Sequence, residues 1–219
     1  MSQEATNVTR KLILVPAVIT LAVTLLRLVG ELQGWSPLFF NREAGGGSAI
    51  VGIAWLVPIF GAYFGWKLVR AGSGPGGIGR ALGLALLALA LVPALGFVME
   101  QAGMNQRNLT TLSVFVVASI VALVIGFRAW PALGRTLFGY GLLARIPVVV
   151  VMLVAILGNW GTHYDVPPSP DFPVMGTLAK WFWIGLLPQL TIWMAFTVVI
   201  GGLFGIAAAA IAGRRPAAA

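Results

Sequence analysis

The chain has 219 residues, 59% of them hydrophobic and 9% charged, and a mean hydropathy of +0.95. A soluble domain carries about a quarter charged residues, and apolar runs near 20 residues match a hydrocarbon core about 30 Å thick, so a water-soluble globule is excluded. The net charge of +8 comes without a basic face interleaved with aromatics, which excludes a nucleic-acid partner, and the absence of cysteine removes disulfides, thiolate metal sites and cysteine nucleophiles.

A polar segment, residues 1–10, precedes six apolar runs at about 12–31, 48–70, 79–99, 109–128, 137–159 and 179–205. Backbone groups in lipid must be satisfied within their own segment, so each run is predicted to be a helix. The predicted fold is an all-α integral membrane protein, with a six-helix transmembrane bundle over 11–213 and a short tail over 214–219. The first run is too long for a signal-peptide core and lacks a small-residue cleavage site, so it reads as a retained helix. The connections are rich in Gly, Pro and charge, as turns are.

Orientation follows from the cations. With the N-terminus in the cytoplasm, that side holds Arg10, Lys11, Lys67, Arg70, Arg80, Arg128, Arg135, Arg214 and Arg215 against Glu4. The outer side holds Arg42, Arg107 and Lys180 against Glu31, Glu43, Glu100, Asp165 and Asp171. Both termini are therefore expected inside. Trp35, Trp160, Trp181 and Trp183 fall at the outer interface and Trp66 and Trp130 at the inner one, as aromatic belts do. The last run exceeds one crossing, so its alanine-rich end, Ala207 to Ala212, is expected to project into the cytoplasm or to tilt. A lipid bilayer, with anionic headgroups at the basic rim, is the first expected partner, and the Ala-, Gly- and Leu-rich composition suits a bacterial inner membrane.

Two short patterns recur. Gly65-Trp66-Lys67 and Gly126-Phe127-Arg128 end two runs, Gly79-Arg80-Ala81-Leu82 and Gly134-Arg135-Thr136-Leu137 open the next, and Val92-Pro93 and Ile146-Pro147 follow. This is a weak parallel repeat of helices 2–3 and 4–5. Gly61 with Gly65, and Gly201 with Gly205, form GxxxG steps that let helix backbones approach, within the monomer or across a homo-oligomer. Residues 72–77 match GxGxxG, but a membrane helix precedes them where the dinucleotide fold needs a strand, so they read as a turn.

Polar residues inside the runs are the candidate site. Thr20, Thr24, Arg27 and Glu31 share one face of the first helix, with Arg27 bridging Glu31 and snorkelling toward the outer headgroups. Arg145 falls about seven residues into the fifth run, about 10 Å deep, with no acidic counter-ion in any membrane interior. Met152 and Asn159 follow it at intervals of seven. Gln189, Trp193 and Thr197 share a face beside Pro188. An intramembrane arginine marks a functional site by default. The expected function is a non-enzymatic small transporter or transport component that binds an anionic or amphipathic small molecule between its helices. The ligand groups are Arg145, Gln189, Asn159, Thr20, Thr24 and Arg27, with no cofactor. The alternatives are an accessory or assembly subunit of a larger membrane complex and, less favoured, a membrane enzyme using His163 and outer carboxylates. His163 and Asp165 are weak metal candidates, since zinc requires three or four ligands, and a lone loop histidine is expected to be solvated.

Overall fold

The computed structural model describes residues 3–104, 108–170 and 172–213, with side chains from Leu12 onward in the first helix. Arg107, Asp171, Arg214 and Arg215, and the side chains of Glu4, Arg10 and Lys11, lie outside that description although they enter the charge asymmetry above. The described residues form helices and no strands. They are α1 (Gln3–Leu32), α2 (Leu56–Arg70), α3 (Ile78–Gln101), α4 (Leu109–Ala129), α5 (Pro131–Gly158) and α6 (Thr177–Ala212). Five are long and apolar enough to cross a membrane: the Leu12–Leu32 part of α1, and α3, α4, α5 and α6. This architecture is compatible with a multi-pass membrane protein.

The surface of α1 is inverted relative to a soluble helix. Its buried positions include Ile13, Ala17, Thr20, Thr24, Arg27 and Glu31, whereas Leu14, Val15, Val18, Ile19, Leu25, Leu26 and Val29 are exposed. In water the exposed stripe would be an aggregation surface. In lipid it is the natural outside, and the threonines and charged pair turn inward, where they find partners.

Four predicted boundaries differ from the structure. The polar segment preceding the first run is helical from Gln3 onward. The second run is helical only from Leu56, and residues 48–55 are irregular. Gly45, Gly46 and Gly47, just before this stretch, have positive φ, a conformation that continues no helix through them. Hydropathy alone cannot see this because the next residues, Ile50 and Val51, are apolar. The 15 residues of α2 span about 22 Å, short of the about 30 Å core. The fifth helix starts at Pro131 rather than 137, because proline at N1 is already set at the helical φ, and Trp130 is the single residue joining it to α4. The last helix runs for 36 residues, Thr177–Ala212, and is broken within: Trp181–Leu186 is a π-helical turn, and Thr191 leaves helical geometry at φ −123°, ψ −73°.

The connections of α2 to α3 and of α4 to α5 meet at one pole, where the Trp130 indole donates to the Ser73 carbonyl at 2.9 Å. Trp130 is therefore 2% exposed, a buried connector rather than a member of an interfacial belt. Lys67, Arg70, Arg80, Arg128 and Arg135 are all exposed. The α1 half around Ile13 packs beside Gly139 near the start of α5, and the C-terminal half of α6 ends at the same pole. The loops 33–55 and 159–176 close the opposite pole.

The two glycine steps answer each other inside the monomer. A Cβ on Gly61 would lie 2.3 Å from the Gly201 carbonyl oxygen, and one on Gly65 2.3 Å from that of Gly205. On a further side of α6, Leu137 and Leu133 of α5 press on Gly201 and Gly205. The close approach of α2 and α6 thus requires glycine, and beside it Phe60, Phe64 and Tyr140 interlock edge to face at 5.5 and 5.6 Å. Gly65→Ala should lower stability by about 1–3 kcal/mol through overpacking, read as thermal melting in detergent. Gly83→Ala, inside α3 where nothing lies within 4 Å, should keep or raise it, by up to about 1 kcal/mol.

Candidate functional site: a cationic cavity between the helices

Two helices carry polar groups to the middle of the bundle. Starting α5 at Pro131 puts Arg145 fourteen residues from one end and thirteen from the other, about 20 Å from either at 1.5 Å per residue. The side chain turns into the bundle and is buried there. On α6, Pro188 lacks the N–H that would meet the Ile184 carbonyl, and the π turn lies just before it. Such bulges re-aim side chains and recur at functional sites. Beyond it the buried Gln189 and the half-buried Trp193 face α5.

Between them lies a cavity of about 530 Å³, within the about 300–1,000 Å³ of small-molecule sites. Its polar lining is Thr24, Arg27, Arg145, His163 and Gln189, and its aromatic walls are Trp55, Tyr164, Trp183 and Trp193. Arg145 is 4% exposed. Its guanidinium lies 4.8 Å from the Trp193 ring centroid, and Nη1 donates to Gln189 Oε1 at 3.4 Å. Its Nε has no protein partner. The ion pairs among the described residues are Arg27–Glu31 and His163–Glu31, so no acid answers Arg145.

Arg27 is treated differently, and the snorkelling expectation is corrected. Its Nε donates to Glu31 Oε1 at 2.8 Å, Nη1 to the Val51 carbonyl at 2.8 Å, and Nη2 to the carbonyls of Asn41 at 3.1 Å and Gly46 at 2.9 Å. A Cβ on Gly46 would fall 2.4 Å from Nη2, so glycine is needed where the guanidinium enters. Arg27 thereby supplies donors to the Asn41 and Val51 carbonyls and adds one to the Gly46 carbonyl, which also accepts from the Ala49 N–H.

Glu31 is fully buried. Besides Arg27 it accepts from the His163 backbone N–H at 2.9 Å and pairs with His163 Nδ1 at 2.5 Å, while Arg42 donates to its carbonyl. His163 is thus paired and largely buried rather than solvated. Burial, the largest influence, holds its pKa below the ordinary 6.5 against the opposing pull of Glu31. Burial likewise pushes the Tyr164 hydroxyl up. The pairing of residues 31 and 163 carries no sequence signal beyond the presence of a buried acid.

The remaining candidates scatter. Thr24 lines the cavity. Thr20 bonds to the Pro16 carbonyl and the Tyr140 hydroxyl, both at 2.8 Å, within the α1–α5 contact. Asn159 is exposed and caps α5 in the left-handed conformation, φ 47°, away from Arg145 and Met152, which both line the cavity. Asp165 takes the N–H groups of Gly161 and Thr162 at 2.9 and 2.7 Å and the Thr162 hydroxyl at 2.7 Å, so it staples its own turn. Among the described residues no three His, Cys, Asp or Glu side chains come together as a metal site. Trp181 is half-buried and its indole donates to the Val149 carbonyl at 3.0 Å, and Trp183 lines the cavity, so both serve the interior as well as any interface.

The chain matches no family model, and no curated protein or solved structure matches it.

Because the folded pKa of His163 is lowered, its contribution to stability is present above 6.5 and is lost as pH falls through that value toward the folded pKa. The melting temperature in detergent should therefore fall between about pH 7 and pH 5. His163→Asn, which keeps a donor toward Glu31 without a titrating ring, should flatten that slope. Equal slopes in both proteins would place the titration elsewhere.

Proposed function

We propose that this chain binds an anionic or amphipathic small molecule between its helices, as a small transporter or a component of one. The observation that carries the reading is Arg145: a 4% exposed cation with an unpartnered Nε and no acid nearby, lining a cavity of about 530 Å³. A charge buried without a partner costs several kcal/mol, and protein side chains alone leave it uncompensated here. An anion in the cavity would offset that cost. Pro188, the π turn before it and the break at Thr191 give α6 places to bend beside the site.

In this reading α2 completes a sixth crossing together with residues 48–55. The basic pole of Lys67, Arg70, Arg80, Arg128 and Arg135 faces the cytoplasm, as does each terminus, in a bacterial inner membrane. The accessory-subunit alternative drew on the glycine steps as an oligomer contact, and these steps pack α2 against α6 in one chain. The enzyme alternative is weakened because Asp165 and Glu31 are engaged in holding backbone.

Arg145→Met removes the buried charge and keeps the bulk. The ligand-free variant should melt at the same temperature or higher, since apolar replacement of buried ions is neutral or stabilising by about 1–4 kcal/mol. Quenching of the cavity tryptophans by a brominated long-chain carboxylate should be lost. A variant that melts lower yet keeps the quenching would overturn the reading.

The chain contains no cysteine, so single cysteines report topology cleanly. Val174→Cys should react with an impermeant thiol reagent on intact cells and Ser73→Cys only after lysis. Both positions are exposed. Labelling of Ser73→Cys on intact cells would reverse the orientation.

A further inference from the structure

We infer that the cavity takes a singly charged oxyanion with an apolar chain, the head on Arg145 and the chain along the α5 and α6 walls toward the loop pole. The inference rests on the reading above and narrows it to one charge state and one shape.

The charge state follows from which groups are already compensated. Glu31, fully buried, is bonded to Arg27 Nε at 2.8 Å and to His163, so Arg27 meets its countercharge within the protein. The buried imidazole is held neutral at neutral pH. Asp165 has both carboxylate oxygens on the N–H and hydroxyl groups of its own turn. Asp165 does not line the cavity, and of the two cations that do, Arg27 and Arg145, only Arg145 has no countercharge in contact. A monoanion closes the balance, whereas a dianion would bury a surplus negative charge and a neutral molecule would leave the cation bare. Either imbalance is costly in a low-dielectric interior.

The geometry of the head follows from the guanidinium. Trp193 covers one face at 4.8 Å and Gln189 occupies Nη1. Nε is buried without a protein partner, so a head group meets Nη2 first and gains the Nε–Nη2 fork, which takes a carboxylate or phosphodiester with two parallel hydrogen bonds, on a small shift of the guanidinium. The apolar path begins next to it. Val148 and Met152 stand one and two turns farther along the same face of α5, and Ile53 and Ile184 line the cavity with them. A tail there replaces no protein hydrogen bond.

Fatty carboxylates and anionic phospholipids share this chemistry, a monoanionic oxyanion on an acyl chain. The test uses the purified full chain in a neutral maltoside detergent at about pH 8, where a phosphate monoester is dianionic. Binding is followed by calorimetry and by fluorescence of the cavity tryptophans. The probes are dodecanoate, phosphatidylglycerol, dodecyl phosphate, dodecanol and acetate. Dodecanoate or phosphatidylglycerol should bind at least about tenfold tighter than each of the other three, a difference of about 1.4 kcal/mol. Whichever of these two binds tighter identifies the source as a free carboxylate or a membrane lipid. The preference should vanish in Arg145→Met. In Arg145→Lys, which keeps the charge but loses the fork, affinity should drop about tenfold. Tighter binding of dodecyl phosphate, or acetate binding as well as dodecanoate, would overturn the monoanion-with-tail assignment while leaving an anion site at Arg145. If no probe binds in an Arg145-dependent way, the broader reading falls with it.

Discussion

The Arg27–Glu31 pair is the joint on which the loop pole depends. A carboxylate buried this fully is tolerable only with several donors around it, and Glu31 obtains them from a neighbouring turn of its own helix and from His163, 132 residues away. Arg27 in turn spreads its remaining donors over three carbonyls of the 41–51 segment. One ion pair thus ties α1 to both long loops. Without it the carbonyls of Asn41, Gly46 and Val51 would lose these donors, a cost that is largest where no water can replace them.

That irregular stretch makes the cavity. If residues 48–55 had continued α2 as a helix, a cylinder would occupy the place where Gly52, Ile53 and Trp55 line a wall. A second departure from regular helix, the π turn and Pro188 in α6, shapes the facing side. The scaffold around them is regular and tight: α2 meets α6 glycine to glycine, and α5 runs as one 28-residue helix past the site. A rigid frame with irregular backbone confined to the cavity walls is how a membrane protein places polar groups at mid-depth.

The two arginines show how similar sequence features receive different fates. Each is a lone cation within an apolar run. Arg27 has an acid four residues on and glycine-rich backbone within reach, so it is absorbed into structure. Arg145 has neither, and its partners are a ring face and one long hydrogen bond to an amide. The contrast is what singles out Arg145, since burial alone does not separate the two.

Much of the helical frame was legible in the chain because hydropathy is local: a run of about 20 apolar residues must be helical in lipid wherever it packs. The shared face of Thr20, Thr24, Arg27 and Glu31 was legible for the same reason, being a matter of helical period. Arg145 and Gln189 could be grouped as expected ligand residues because both are polar in apolar runs, but their direct contact could not be derived, because a spacing of 44 residues says nothing of contact. The break before Leu56, the early start of α5 at Pro131 and the burial of His163 escaped because each depends on backbone geometry or on a partner distant in sequence. By itself, then, the sequence determined an all-helical chain with helices long and apolar enough to cross a membrane, and the faces on which its few polar residues lie, since both follow from composition and period. Tertiary structure alone decided which glycines touch, which cation keeps a counter-ion and where a cavity opens, because these depend on long-range contacts that no local pattern encodes.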